Sequence, residues 1–250
     1  MSQLKIGCSG WSYKHWKGKF YPNTLPVSKQ FDFYAGLFDT VEINNSFYKL
    51  PAKNVFLSWK SMSPPDFLFA VKGSRFITHM KKLLDPEHSF NKFFDHISAL
   101  GEKLGPVLFQ LPPRWKINVQ RFESFLKIIP PHLRVAFEFR DTSWYDDAIY
   151  DLLRKYNCAF CIYELAGHQS PIIVSAEFIY IRLHGPGGKY EGSYKDEVLL
   201  AWRTKIEEWM ASDLDVFVYF DNDQHAYATQ DALRLKQYCV SILSRQVATR

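Results

Sequence analysis

The stretch VAFEFRDTSWYDDAIYDLLRKYNCAFCIY, residues 135–163, holds one complete repeat of the architecture. Val135 to Phe139 is a short apolar run rich in strand-forming residues, Tyr145 to Tyr156 carries a helical pattern, and Ala159 to Tyr163 is a second apolar run. A strand, a helix and a strand in that order predict two parallel strands joined by a right-handed crossover. The same alternation extends in both directions. Apolar runs recur at Leu4 to Cys8, Thr40 to Asn44, Leu68 to Lys72, Val107 to Leu111, Phe178 to Leu183 and Asp215 to Phe220. Helical patterns fall at Lys29 to Phe38, Asn54 to Met62, Ser89 to Leu104, Val119 to Ile129, Asp196 to Met210 and His225 to Ser244; the connection Leu165 to Ala176 lacks one. Eight such units close naturally into a single (β/α)8 TIM barrel over residues 1–250, the length this fold usually takes. An open doubly wound sheet is the runner-up. Against it, the first strand-to-helix turn, Gly7-Cys-Ser-Gly10, lacks the third glycine of a dinucleotide fingerprint, and nothing resembles a P-loop.

Composition narrows the class. With 47% hydrophobic and 23% charged residues the chain is an ordinary globule, which excludes a disordered or fibrous protein. Seven Trp, 14 Tyr and 21 Phe exceed what a core of this size requires, which assigns some rings to a binding surface. A net charge of +5 favours anionic partners but falls short of a dedicated nucleic-acid binder. No apolar run reaches the roughly 18 residues of a membrane span, so the expectation is a cytoplasmic protein with no membrane partner. Cys8, Cys158, Cys161 and Cys239 are too few and too scattered for a disulfide framework. Cys158 and Cys161 fall in or beside a strand three residues apart, so their thiols diverge and are expected to stay reduced.

Several phrases together resemble one family: Gly7-Cys-Ser-Gly-Trp11, Val41-Glu-Ile-Asn-Asn-Ser-Phe-Tyr48, Val71-Lys-Gly-Ser-Arg-Phe-Ile-Thr-His79, Leu104-Gly-Pro-Val-Leu-Phe-Gln-Leu-Pro-Pro113, Ala136-Phe-Glu-Phe-Arg140, Arg182-Leu-His-Gly185 and Tyr219-Phe-Asp-Asn222. They look like the YecE-like family, domain of unknown function 72, over almost the whole chain and in order. The resemblance implies a TIM barrel and candidate positions but no reaction. The chain departs from it at Asp221, where the family pattern leads to Asn.

Strand alternation sorts the candidates independently. Apolar residues of a barrel strand face the helices, which turns their neighbours inward. Glu42 and Asn44 then point in from the second run, Lys72 and Gln110 from the third and fourth, Glu138 and Arg140 from the fifth, Arg182 and His184 from the seventh, and Asp221 from the eighth, with Asn222 opposite. Burying so many charges costs several kcal/mol per unpaired ion, and strand C-termini are where this fold keeps its active sites. Glu42, Glu138 and His184 are therefore the catalytic candidates, as proton donors and acceptors. Asn44, Lys72, Gln110, Arg140, Arg182, Asp221 and Asn222 are the substrate-binding candidates, joined by the aromatic residues Trp11 and Tyr48. The bland alternative is a structural ion-pair network in which Glu42 and Glu138 flank Arg182. Three fixed cations oppose a metal, and neither metal nor cofactor is expected.

Two loops add to the site. Trp11 to Tyr21 interleaves aromatic rings with Lys14, Lys17 and Lys19, and Arg75, Lys81, Lys82, Arg114 and Lys116 extend an electropositive rim. Gly185, Gly187 and Gly188 form a glycine-rich loop after the seventh run, where barrels often bind phosphate. The leading expectation is an enzyme of hydrolase or isomerase type acting on a phosphorylated or other small anionic substrate. The alternative is a non-catalytic nucleic-acid or nucleotide-binding module using the basic aromatic rim. Oligomeric state is left open.

Overall fold

The computed structural model describes residues 2–241. Nine strands lie within them: β1 (Leu4–Ser9), β2 (Thr40–Ile43), β3 (Leu68–Lys72), β4 (Leu104–Leu111), β5 (Val135–Phe139), β6 (Ala159–Leu165), β7 (His168–Gln169), β8 (Phe178–Leu183) and β9 (Asp215–Phe220). The α-helices are α1 (Gln30–Ala35), α2 (Asn45–Tyr48), α3 (Lys53–Met62), α4 (Pro86–Ile97), α5 (Val119–Leu126), α6 (Asp147–Lys155), α7 (Asp196–Ala211) and α8 (Tyr227–Tyr238). Hydrogen-bonded neighbours run β5-β4-β3-β2-β1-β9-β8-β6, and β5 also pairs with β6. Eight strands in that order, alternating with helices, make this a (β/α)8 barrel. By its internal contacts the chain divides into two compact units, one holding residues up to 41, 162–170 and from 177 onward, the other 42–161 and 171–176.

In the second unit β3, β4, β5 and the start of β6 pair in parallel. The alternation expected for β5 is observed: Phe137 meets Phe122 and Phe125 of α5 edge-on, with ring centroids 4.9 and 6.0 Å apart, and Phe139 stacks on Trp144 at 5.3 Å. Burying each such ring stabilises by about 1.5–3 kcal/mol, which fixes the register and turns Glu138 to the other face. Side chains set the starts of the flanking helices. Asn118 accepts from the Arg121 amide at 2.9 Å and Asp146 from the Ala148 amide at 2.9 Å.

In the first unit β1 and β8 both pair with β9 in parallel, and α7 buries Leu199, Trp202 and Ile206. All four cysteines are buried, and none is in a disulfide.

Some element bounds depart from the sequence reading. The helix expected over Ser89 to Leu104 starts earlier, with Pro86 in its first turn, and ends at Ile97; a 3-10 segment follows, broken at Gly101 (φ 57°), and Leu104 opens β4. Strand β4 therefore contains Pro106, which donates no hydrogen bond, and its pairing with β3 slips there, from Phe69 opposite Leu104 to Val71 opposite Val107. The helix-less sixth connection is a tight hairpin: Ala166 and Gly167 both have positive φ (50° and 79°), and β7 folds back antiparallel on β6. The last helix is α8, and residues 242–244 of the expected span lie outside the described residues.

Candidate functional site

In the first unit the C-terminal ends of β1, β8 and β9 bring together Ser9, Arg182, His184 and Asp221. Arg182 Nη2 donates to Asp221 Oδ2 at 3.0 Å and to Ser9 Oγ at 3.1 Å, while Nη1 lies 3.2 Å from His184 Nε2. A guanidinium only donates, so Nε2 is the acceptor and the ring proton resides on Nδ1, which donates to Asp221 Oδ2 at 3.0 Å. Arg182 and His184 are wholly buried, and the Asp221 side chain is 12% exposed. The result is a charge-matched group: one carboxylate accepts from both partners and fixes the imidazole tautomer. Tyr163 and Tyr190 flank the His184 ring at 6.2 and 5.5 Å.

Around this group two carboxyls are held above the usual range, Glu164 near the end of β6 by burial, and Asp223 by burial and the neighbouring Asp221. Asp223 also faces the His15 ring, 3.3 Å from its carboxylate. His15, Asp223 and His225 line an open cleft of about 400 Å³ with Lys189, Tyr190, Glu191 and Gln224.

The glycine loop is tied down at both ends. The Gly185 amide donates to the Tyr194 hydroxyl at 2.9 Å, and Asn222 Nδ2 donates to the Gly192 carbonyl and to Asp231, each at 2.8 Å. Asn222 is thus buried against α8, where it anchors the loop. Gly185 (φ 108°) needs its missing side chain, since a Cβ would sit 2.3 Å from the Glu191 carbonyl. The Gly187 amide donates to that same carbonyl, and the Glu191 carboxylate lies against Gly188. Two of the three amides expected to cradle a phosphate are therefore already engaged.

In the second unit the inner residues expected at the ends of β4 and β5 meet. Gln110 and Glu138 are directly paired across the strands, with Gln110 Nε2 donating to Glu138 Oε1 at 2.7 Å, and Arg140 Nε donates to the same oxygen. Glu138 is wholly buried and Arg140 10% exposed. Lys72, at the end of β3, sets its Nζ 4.5 Å above the Phe47 ring, and its carbonyl accepts from Ser46 at 2.7 Å. His79 reports the charge of this region. Burial, then Lys72, Arg75 and Arg140, push its pKa down to about 4, and Glu138 opposes them. Glu42 is wholly buried in β2, Asn44 stands just before α2, and Tyr48 is 72% exposed.

The aromatic loop after β1 packs mainly on itself. Trp16 and Tyr21 are buried, Trp11 lies edge-on to Phe31 at 5.3 Å, and Tyr21 donates to the Trp11 carbonyl; Lys14, Lys17 and Lys19 remain exposed. Ser9, Tyr163, Glu164, Tyr190, Asp231 and the pair Arg75–His79 were not among the sequence candidates for the inner site. Ser9 has the same parity on its strand as Lys5 and was the most findable. Among the described residues no group of three or more His, Cys, Asp or Glu is placed to hold a metal ion, and no helix is long and apolar enough to cross a membrane.

Strands alternating with helices, with buried charge gathered at the strand C-termini, define a TIM-barrel protein with a candidate ligand site. The chain belongs to the family described as protein of unknown function DUF72, whose model it matches over residues 5–247. It is similar to UPF0759 protein YunF of Bacillus subtilis, 27% identical over 93% of both chains. It is also 27% identical to UPF0759 protein YecE of Escherichia coli, over 57% of this chain and 50% of that one. A DUF72 family protein of Thermotoga maritima superposes with a TM-score of 0.84 at 28% identity, over 94% of this chain and 98% of that one. A second DUF72 structure, from Enterococcus faecalis, gives 0.81 at 17% identity, over 94% and 95%, and bears on the fold alone.

Proposed function

We propose that this DUF72 protein is an enzyme of hydrolase or isomerase type that acts on a phosphorylated or other anionic small molecule at the C-terminal ends of its strands. The observation that carries this reading is the gathering of Lys72, Arg75 and Arg140 near the half-buried His79, whose pKa their charges help to lower. Fixed cations at strand ends attract an anion and stabilise charge that develops on it without reorganising. Lys72 and Arg140 are the anion-holding residues, with Gln110 and Glu138 setting the Arg140 side chain. Within the second unit Glu42 and Glu138 are the acid–base candidates; His184, held by Asp221 and Arg182, is the acid–base candidate of the first unit taken by itself. The alternative, a nucleic-acid binder using the loop after β1, draws on the exposed Lys14, Lys17 and Lys19, but the buried Trp16 and Tyr21 leave it few rings to offer.

A ligand that binds only the folded state stabilises it by RT ln(1 + [L]/Kd). Sulfate or phosphate is expected to raise Tm in the wild type, and Lys72→Gln combined with Arg140→Gln to remove most of the gain. An unchanged wild-type Tm in either anion, with a rise in a divalent cation, would sink the anion reading.

A further inference from the structure

We infer that the anion gripped in the second unit is carried on a planar unsaturated ring, as in an aryl or nucleoside phosphate, and that Tyr48 with the π-turn Phe76–Met80 forms the face on which that ring lies. This deepens the anion reading above and rests on it.

His79, which is half-buried, and Lys72 join Tyr48 through one ring. Phe47 is met edge-on by Tyr48 at 5.0 Å and 90°, and by His79 at 4.9 Å and 85°, while Lys72 Nζ lies 4.5 Å from its centroid. Phe47 itself is buried, but its neighbours are not: Tyr48 is 72%, Met80 65% and Phe76 43% exposed. Scattered exposed apolar side chains need no explanation. Here, however, Phe76 and Met80 bracket the one turn that carries His79. That turn is a single π-turn, a feature common at functional sites. The backbone just after it is left-handed at Lys82 (φ 48°), Leu83 (φ 61°) and Asp85 (φ 42°), none of them glycine. Residues with a Cβ adopt that conformation only at a cost, and such strain collects at ligand clamps. Aromatic faces and a thioether suit a π-system, while Lys72, beside Phe47, and Arg75, at the start of the turn, suit its acid group.

Calorimetric titration of the full chain with inorganic phosphate, glycerol 1-phosphate, phenyl phosphate and adenosine 5′-monophosphate tests this. Phenyl phosphate or adenosine monophosphate is expected to bind about tenfold tighter than glycerol phosphate; preference for the first marks a small aryl ligand, for the second a nucleotide. Tyr48→Ala and, separately, Met80→Ala are expected to lower that ratio severalfold while leaving inorganic phosphate affinity unchanged. The two substituted residues, Tyr48 and Met80, are both exposed, so the variants are expected to fold. Equal binding of phenyl and glycerol phosphate overturns the platform and leaves the anion reading standing. A ratio that survives both substitutions overturns it too, as does a Tyr48→Ala change confined to oligomeric state in light scattering, which would make the patch a contact between copies. If inorganic phosphate and all three esters fail to bind, the anion reading falls with it.

Discussion

The two clusters of buried charge follow opposite rules. Around Arg182 each charge meets its complement: Asp221 accepts from Arg182 and His184, and Arg182 also reaches Ser9. Around His79, burial and then the charges of Lys72, Arg75 and Arg140 push the imidazole pKa down to about 4, with Glu138 acting the other way. On the function proposed above, the first arrangement positions groups and the second receives the anion of a ligand.

Substitutions can break this contrast, beginning where the effect is largest. Removing one partner of a buried pair costs about 3–5 kcal/mol, so Asp221→Ala is expected to lower the urea unfolding free energy by about 3 kcal/mol. A loss below about 1 kcal/mol would mean that the group is not held together as described. Asp221→Asn keeps the shape and an acceptor but turns a charge-assisted bond into a neutral one, for an expected loss of about 1–2 kcal/mol by the same measurement. Lys72→Gln should behave in the reverse sense: ligand-free stability stays within about 1 kcal/mol of wild type, because a cation without an added anion contributes repulsion as well as attachment, yet the Tm gain in sulfate falls sharply. If Lys72→Gln is as damaging as Asp221→Ala, the second cluster is structural.

The smallest effect is the most diagnostic. His79 titrates near 4 in the folded chain and near 6.5 when unfolded, so between those values the unfolded chain binds more protons. Stability from this group is then fully present above pH 6.5 and is lost as the pH falls toward 4. Sulfate keeps its charge throughout that window, and it favours a protonated neighbour. The Tm gain from sulfate is therefore expected to grow between pH 6.5 and 4.5, and His79→Asn to flatten that growth. A gain that does not vary with pH would remove His79 from the cluster's surroundings.

Most of the fold was legible in the sequence because strands and helices alternate with different periods. The parity rule also placed Gln110, Glu138 and Arg140 correctly enough to meet, since a two-residue period leaves no choice once Phe137 and Phe139 face out. What it missed lies where periodicity ends. Pro106 reads as a breaker, and the strand accommodates it only by a slip in pairing with β3. Asn222 was set among ligand contacts, yet its neighbours Gly192 and Asp231 are loop and helix residues that no strand pattern brings into view. The glycine loop had the composition of a phosphate cradle, but two of its three amides are engaged by Tyr194 and Glu191, a fact of loop geometry. Asp221, the departure from the family pattern, is explained by its partners: one carboxylate balances Arg182 and orients His184.

The tautomer of His184 has a consequence for time rather than for energy. A ring proton on Nδ1, donated to a carboxylate in a residue with no exposed surface, is sheltered as an amide in the middle of a sheet is sheltered. It can trade with solvent only when its surroundings part, and Tyr190, on the loop between Gly185 and Gly192, is one of the two rings that cover it. The exchange lifetime of that single imidazole resonance is thus a clock for how often those surroundings open, and it can be read in the ligand-free protein.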